Sequence, residues 1–169
     1  MSLTGWLYDD MRQAPRFPLS VEMHRGYLFP VKLSVKTDYA ARAVLKLSAH
    51  PVDGSTHRVE DLAATVGTSP NYLVQILIEL KAAGLVSSVR GKQGGYRIAK
   101  APLEITLGDV WRAVDGEILD SPALTDDQCA PVLREAWQGV IDTVNTAADK
   151  LTFEQLLEAS ARDKEMYYI

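Results

Sequence analysis

At 169 residues, 47% of them hydrophobic and with a net charge of −4, the chain has room for one ordinary domain or a small domain with an assembly element. No apolar run approaches the roughly eighteen residues of a membrane span, and Asp9 and Asp10 stand where a secretory signal would be apolar, so no membrane partner is expected. A single cysteine excludes an internal disulfide framework and fits a reducing cytoplasm.

Residues 1–30 show no sustained periodicity. Pro15, Pro18 and Pro30 interrupt Trp6, Tyr8, Phe17, Tyr27 and Phe29, and the stretch reads as an irregular extension. Ser34 to His50 reads as the first helix, with Tyr39, Ala40, Ala43, Val44 and Leu47 as its apolar stripe. Pro51 and Asp53-Gly54-Ser55 end it in a loop. His50 and His57 fall at loop positions, where solvation is expected, and neither completes a metal-ligand spacing.

The stretch from Val59 to Lys100 organises the chain. Leu62, Ala63 and Val66 mark one face of a short helix that Gly67 breaks. Ser69 can cap a second helix and Pro70 suits its first position, where no backbone N–H is required. Leu73, Ile76, Leu77 and Leu80 form its apolar stripe, Asn71, Tyr72 and Gln75 lie towards the other side, and Gly84 ends it. This spacing predicts a helix-turn-helix whose second helix presents polar side chains at its N-terminal end, where base edges are read. Val86, Ser88 and Arg90 then alternate with Ser87 and Val89, and Tyr96 and Ile98 with Arg97 and Ala99. The turn between them, Gly91-Lys92-Gln93-Gly94-Gly95, makes the pair a hairpin with a cation at its tip. A hairpin directly after a recognition helix is a wing, and Arg90 and Lys92 are placed to reach phosphates or a minor groove.

The charge distribution agrees. Residues 31–100 hold ten Lys and Arg against five Asp and Glu, whereas residues 101–169 hold five against fourteen. A basic DNA-contacting module joined to an acidic sensing or assembly module gives such an asymmetry. The turn Gly91–Gly95 lacks the Lys-Ser/Thr ending of a phosphate-cradling loop, and no nucleophile–base or paired acid/base set is evident, so no enzyme is expected.

After the wing, Thr106 and Asp109 form a variant capping box ahead of Leu107, Val110, Trp111 and Val114, and Gly116 closes that helix. A polar stretch from Glu117 to Gln128 separates it from a long helix starting at Pro131. There Leu133, Trp137, Val140, Val144, Ala147 and Leu151 step by fours and threes, the alternation of a heptad seam. A seam of this length on an acidic helix is read as a dimerisation element. Thr152 with Gln155 forms a second capping box, and a short frayed tail is expected from Asp163. The expected fold is mainly α with a small β-hairpin wing: an N-terminal extension over 1–30, a winged-helix DNA-binding domain over 31–116, a sensor-type loop over 117–130, and dimerisation and C-terminal helices over 131–169.

The segments KLSVKTDYAARAVLKLSA, SPNYLVQIL and GLVSSVRGKQGGY closely resemble the Rrf-type winged-helix transcription regulators, a family that includes iron–sulfur, nitric-oxide and cysteine-metabolism regulators. The resemblance covers about Val31 to Ser160. Members usually begin at the position of Val31, so a start codon assigned too far upstream, an added segment and a functional arm all stay open for residues 1–30. By this resemblance Ser69, Asn71, Tyr72 and Gln75 take the recognition-helix contacts and Arg90 the wing contact, with Lys92, Gln93 and Gly94 beside it. Val74 stands where some relatives carry an acidic residue that selects bases, which implies a different operator choice, with contact to a thymine methyl as one form of it.

In the family's cluster-binding members three cysteines lie in the loop before the dimer helix. Here that loop holds one, Cys129. A three-cysteine cluster within one subunit is therefore excluded, and no cofactor is expected. An iron–sulfur centre would need mixed ligands, pairing Cys129 of one subunit with Asp38 or a histidine of the other, since Asp38 matches a position from which some relatives supply an oxygen ligand. Cys129 is otherwise a redox-reactive thiol favoured by the nearby helix start and opposed by Asp126 and Asp127, or a small apolar residue without chemistry. A regulatory protein or small-molecule effector then supplies the signal.

The leading reading is a homodimeric repressor that binds a pseudo-palindromic operator in double-stranded DNA. The alternative is a protein-interaction module that uses the winged helix only as scaffold, which salt-dependent affinity for duplex DNA would distinguish.

Overall fold

The computed structural model describes residues 33–49, 55–91 and 94–166, with the side chains of the last helix described up to Arg162. Among these residues the protein is mostly helical with one antiparallel hairpin, as expected. In chain order the elements are α1 (Val35–Ser48), α2 (Val59–Val66), α3 (Pro70–Ala82), β1 (Val86–Val89), β2 (Gly95–Ile98), α4 (Leu107–Asp115), α5 (Pro131–Lys150) and α6 (Phe153–Met166). Short 3-10 turns at Pro102–Glu104 and Pro122–Leu124 lie on either side of α4.

The helix starts follow from local hydrogen bonding. The Ser34 hydroxyl accepts from the Thr37 N–H at 3.1 Å, and the Ser69 hydroxyl accepts from the Tyr72 N–H at 3.3 Å. Each satisfies one of the amide donors that a helix start leaves open. Gly67 adopts φ 83°, which turns the chain from α2 into α3 without the steric penalty a side chain would bring. The apolar stripes of α1, α2 and α3 then meet: Ala40, Ala43, Val44, Leu47, Leu62, Ala63, Val66, Leu73, Ile76, Leu77 and Leu80 are all buried in one cluster.

The hairpin closes over this cluster with Val86 opposite Ile98, both buried. A third backbone segment lies along its free edge. His57 exchanges both backbone hydrogen bonds with Tyr96, each at 2.8 Å, and is not the solvated loop residue expected from sequence. The reason is the edge of β2, whose polar groups need partners. This close approach also accounts for Gly95, where a Cβ atom would collide with the His57 carbonyl oxygen.

Thr106 and Asp109 form the expected capping box of α4: the Thr106 N–H donates to Asp109 Oδ2 at 2.9 Å and the Asp109 N–H to Thr106 Oγ1 at 3.0 Å. Arg112 adds an ion pair to Asp109 at 3.4 Å and another to Asp149 of α5 at 2.5 Å. The second pair passes over Gly108, where a Cβ would meet the Asp149 carboxylate. Burial by itself pushes the Asp109 carboxyl up, but hydrogen bonds from Thr106 and Arg112 and the Arg112 charge outweigh it and hold the group below its ordinary 3.8. A carboxyl depressed on folding stabilises the protein above its unfolded-state pKa, and the contribution disappears as pH falls through the folded value. Asp109→Asn is therefore expected to lower the urea midpoint at pH 7. The gap from wild type should narrow as pH is taken below 3.8; a gap independent of pH would contradict this origin.

The first turn of α1 is tied to the end of α4. Lys36 Nζ donates to the Val114 carbonyl and pairs with Glu79 of α3 at 2.8 Å, while the Thr37 hydroxyl donates to Asp115 Oδ2 at 2.5 Å. A cation at the carbonyl end of α4 suits the helix dipole. The junction of α5 and α6 is stitched to the start of α4. The Leu107 N–H donates to the Leu151 carbonyl at 2.8 Å and the Phe153 N–H to the Ile105 carbonyl at 3.0 Å, and Phe153 is fully buried.

Two sequence expectations are corrected. Helix α5 ends at Lys150, and Leu151 leaves it with φ −91° and ψ 98°, because Thr152 caps the next helix. The seam is therefore helical from Leu133 to Ala147 only. The tail expected to fray from Asp163 continues as helix to Met166.

Candidate nucleic-acid interface

The stripe that buries α3 dictates what its opposite face presents. With Leu73, Ile76, Leu77 and Leu80 inward, Ser69, Asn71, Tyr72 and Gln75 are exposed, while Val74 is half-buried at the margin. The helix start is therefore both polar and accessible, which base reading in a major groove requires. The Ser69 oxygen is already an acceptor in its cap, leaving its O–H to donate outward.

Tyr72 is held by neighbours that the sequence reading did not assign to this site. Its ring stands edge-on to Tyr39 of α1, centroids 6.1 Å apart at 81°, and the Arg42 guanidinium lies 5.7 Å from the Tyr39 centroid. Arg42 also pairs with Asp38 at 2.6 Å and donates to the Val66 carbonyl at 3.4 Å. Tyr39 was readable only as part of the α1 stripe. Its half-buried position between core and surface depends on how α1 crosses α3, which no spacing within α1 reveals.

The wing follows this helix in the chain and is tied to its C-terminal end. Arg90 is exposed immediately after β1, and Gly94 closes the turn by donating its N–H to the Gly91 carbonyl at 2.9 Å. A Cβ on Gly94 would press on the Val89 carbonyl at 2.5 Å, so the turn requires glycine there. Lys92 and Gln93, also expected at the wing tip, lie outside the described residues. Lys81 near the end of α3 donates to Ser88 of β1 at 2.6 Å and links helix to wing. On the wing's outer face a cleft of about 550 Å³ brings Arg58 and Arg97 together with Ser55, Thr56 and Asp61. Neither arginine was singled out from sequence, because they are far apart in the chain and line one cleft only through the His57–Tyr96 pairing.

The other predicted site residues lie elsewhere. Cys129 is half-buried in the loop before α5, its thiol 3.7 Å from the Ala130 carbonyl. Arg134 organises that loop by donating to the carbonyls of Ala123, Asp126 and Cys129. Asp38 is engaged with Arg42, and among the described residues no three His, Cys, Asp or Glu side chains gather as a metal site. A cluster held within one chain does not fit this donor set. Along α5, Leu133, Trp137 and Val140 are 48%, 45% and 47% exposed, Val144 is half-buried, and Ile141 and Ala148 face the protein's own core. Among the described residues no helix is long and apolar enough to cross a membrane.

Comparison with known proteins gives a consistent result. Residues 33–159 match the Rrf2 family, described as an iron-dependent transcriptional regulator. The chain is 34% identical over 137 residues to the HTH-type transcriptional regulator CymR of Bacillus subtilis, covering 81% of this chain and 97% of the relative. It is 31% identical over 131 residues to the HTH-type transcriptional regulator IscR of Aliivibrio salmonicida, covering 75% and 77%. Among solved structures it resembles T. potens IscR with a TM-score of 0.66 at 30% identity, over 82% of this chain and 97% of that one. It also resembles CymR, the global cysteine regulator of B. subtilis, with a TM-score of 0.65 at 30% identity, over 77% and 98%. With a helix-turn-helix and wing in one fold and a family match running from α1 into α6, the chain belongs to the Rrf2 family of winged-helix transcriptional regulators rather than to any class of enzyme.

Proposed function

We propose that this regulator acts as a homodimeric repressor on a pseudo-palindromic operator in the cytoplasm. Each subunit would place α3 in a major groove and its wing in the flanking minor groove. The observation that carries the reading is the accessible polar start of α3, followed in the chain by a wing whose Arg90 is exposed. In this reading Ser69, Asn71, Tyr72 and Gln75 read bases, and Arg90, Lys92, Gln93 and Gly94 form the wing contact. Val74, without the charge of an acidic residue, shifts operator choice. Residues 31–116 form the DNA-binding domain, 117–130 the regulatory loop and 131–169 the dimerisation helix and the C-terminal helix, with two subunits joined through Leu133, Trp137, Val140, Val144 and Leu151. The extension expected over residues 1–30 lies outside the described residues.

Arg90→Ala is the direct test. Operator affinity should fall, and the slope of log affinity against log salt should decrease by about one unit, because one phosphate-proximal cation is lost. A folded variant with unchanged affinity and slope would remove the wing from the interface.

Regulation in this reading does not pass through a resident cluster. One cysteine per chain and the Asp38–Arg42 ion pair leave, among the described residues, no donor set for one within a subunit. Cys129→Ser is expected to leave operator affinity nearly unchanged under reducing conditions, and chelation of anaerobically purified wild type should do the same. Stoichiometric iron with binding lost on chelation would replace this scheme with the intersubunit Asp38–Cys129 site. In the cluster-free scheme the signal comes from a protein partner or small effector acting at the loop that Arg134 organises.

A further inference from the structure

Helix α3 carries apolar side chains in two sets. Leu73, Ile76, Leu77 and Leu80 are fully buried, whereas Ile78 is 53% exposed. Single exposed apolar residues are ordinary, so exposure alone decides little. Position decides more. At about 100° per residue, Asn71, Gln75 and Ile78 fall within about 60° of arc and form one strip along the outward face. The carboxylate of α3 is kept off this strip, because Glu79 is turned to Lys36 at 2.8 Å. Lys81 borders it, fixed to Ser88. The strip is thus two amides followed by an uncharged, branched apolar side chain.

Among the base edges of a major groove the apolar group is the thymine C5-methyl. We infer that Ile78 is a specificity-determining residue that packs on a thymine methyl. This rests on the DNA-binding reading above. Asn71 and Ile78 are separated by about 10 Å along the helix axis, so the thymine is a different base pair from the one that Asn71 reads.

The test uses the full chain and an operator obtained by selection from a random duplex pool. Each thymine is replaced in turn by deoxyuracil, which keeps every hydrogen-bonding group and lacks only the methyl. At one position per half-site the replacement should weaken wild-type binding about three- to fourfold, the scale of one buried methyl. Ile78→Ala, at an exposed position and with an unchanged melting temperature, should lose sensitivity there while keeping it at every other thymine. Ile78→Leu should retain part of it. Equal sensitivity of wild type and Ile78→Ala at all thymines would overturn the inference while leaving DNA binding intact. Failure of the wild type to enrich any sequence would instead overturn the DNA-binding reading, and this inference with it.

Discussion

The variant Trp137→Asp/Val140→Asp is expected to sediment as a monomer at micromolar concentration and to bind the operator about 100-fold or more weakly than wild type. The size follows from linkage: two half-sites engaged by one dimer make the second contact intramolecular, and a monomer loses that advantage altogether. Trp137 and Val140 are the informative pair because both are close to half exposed in the single chain. A carboxylate at either meets water in the monomer and meets a buried apolar seam, without a partner charge, only in a dimer. Val144 is a poorer probe. It is half-buried against the protein's own fold, so a charge there would mix loss of assembly with loss of stability. Ile141 and Ala148 occupy the inward face of α5, which explains why the Leu133–Trp137–Val140 edge is left for another surface. A wild-type monomer at that concentration, or a double variant that remains dimeric, would end the assembly model.

Phe153→Ala should lower the unfolding free energy by about 3–5 kcal/mol, the range for truncating a buried aromatic side chain. Phe153 has no exposed surface, belongs to the cluster formed by α1, α3 and the wing, and has its backbone N–H bonded to the Ile105 carbonyl at 3.0 Å. The C-terminal helix is therefore part of the winged-helix core and not an appendage to a dimer arm. Chemical denaturation followed by fluorescence and by circular dichroism should show one coincident transition shifted to lower denaturant. A first transition confined to α5 and α6, with the remainder unchanged, would contradict the shared core. Leu103 is a control: it is exposed on the 3-10 turn before α4, and Leu103→Ala should change stability little.

The elements that sequence alone determined are those whose information is local. The 3.6-residue spacing of Leu73, Ile76, Leu77 and Leu80, the cap at Ser69, the break at Gly67 and the period-two alternation around Gly91–Gly95 each reside within a dozen residues, and the helix-turn-helix and wing form where they indicate. The choice of Asn71, Tyr72 and Gln75 as outward residues follows from the same periodicity, since burying one stripe exposes the other. Tertiary structure decided whatever depended on residues distant in the chain. The His57–Tyr96 pairing turned a presumed loop into an edge segment, made Gly95 obligatory and placed Arg58 and Arg97 on one cleft. The Tyr39–Tyr72 contact set the recognition face beside α1, and Phe153, unmarked by any periodic stripe, reached the core because Thr106 and Thr152 pair and α6 packs against α1 and the 3-10 turn before α4. Periodicity specifies which side of a helix is apolar. It cannot specify which distant backbone will satisfy an open strand edge or which side chain will fill the space where three helices meet, because those outcomes are settled by packing and hydrogen-bond satisfaction across the whole fold.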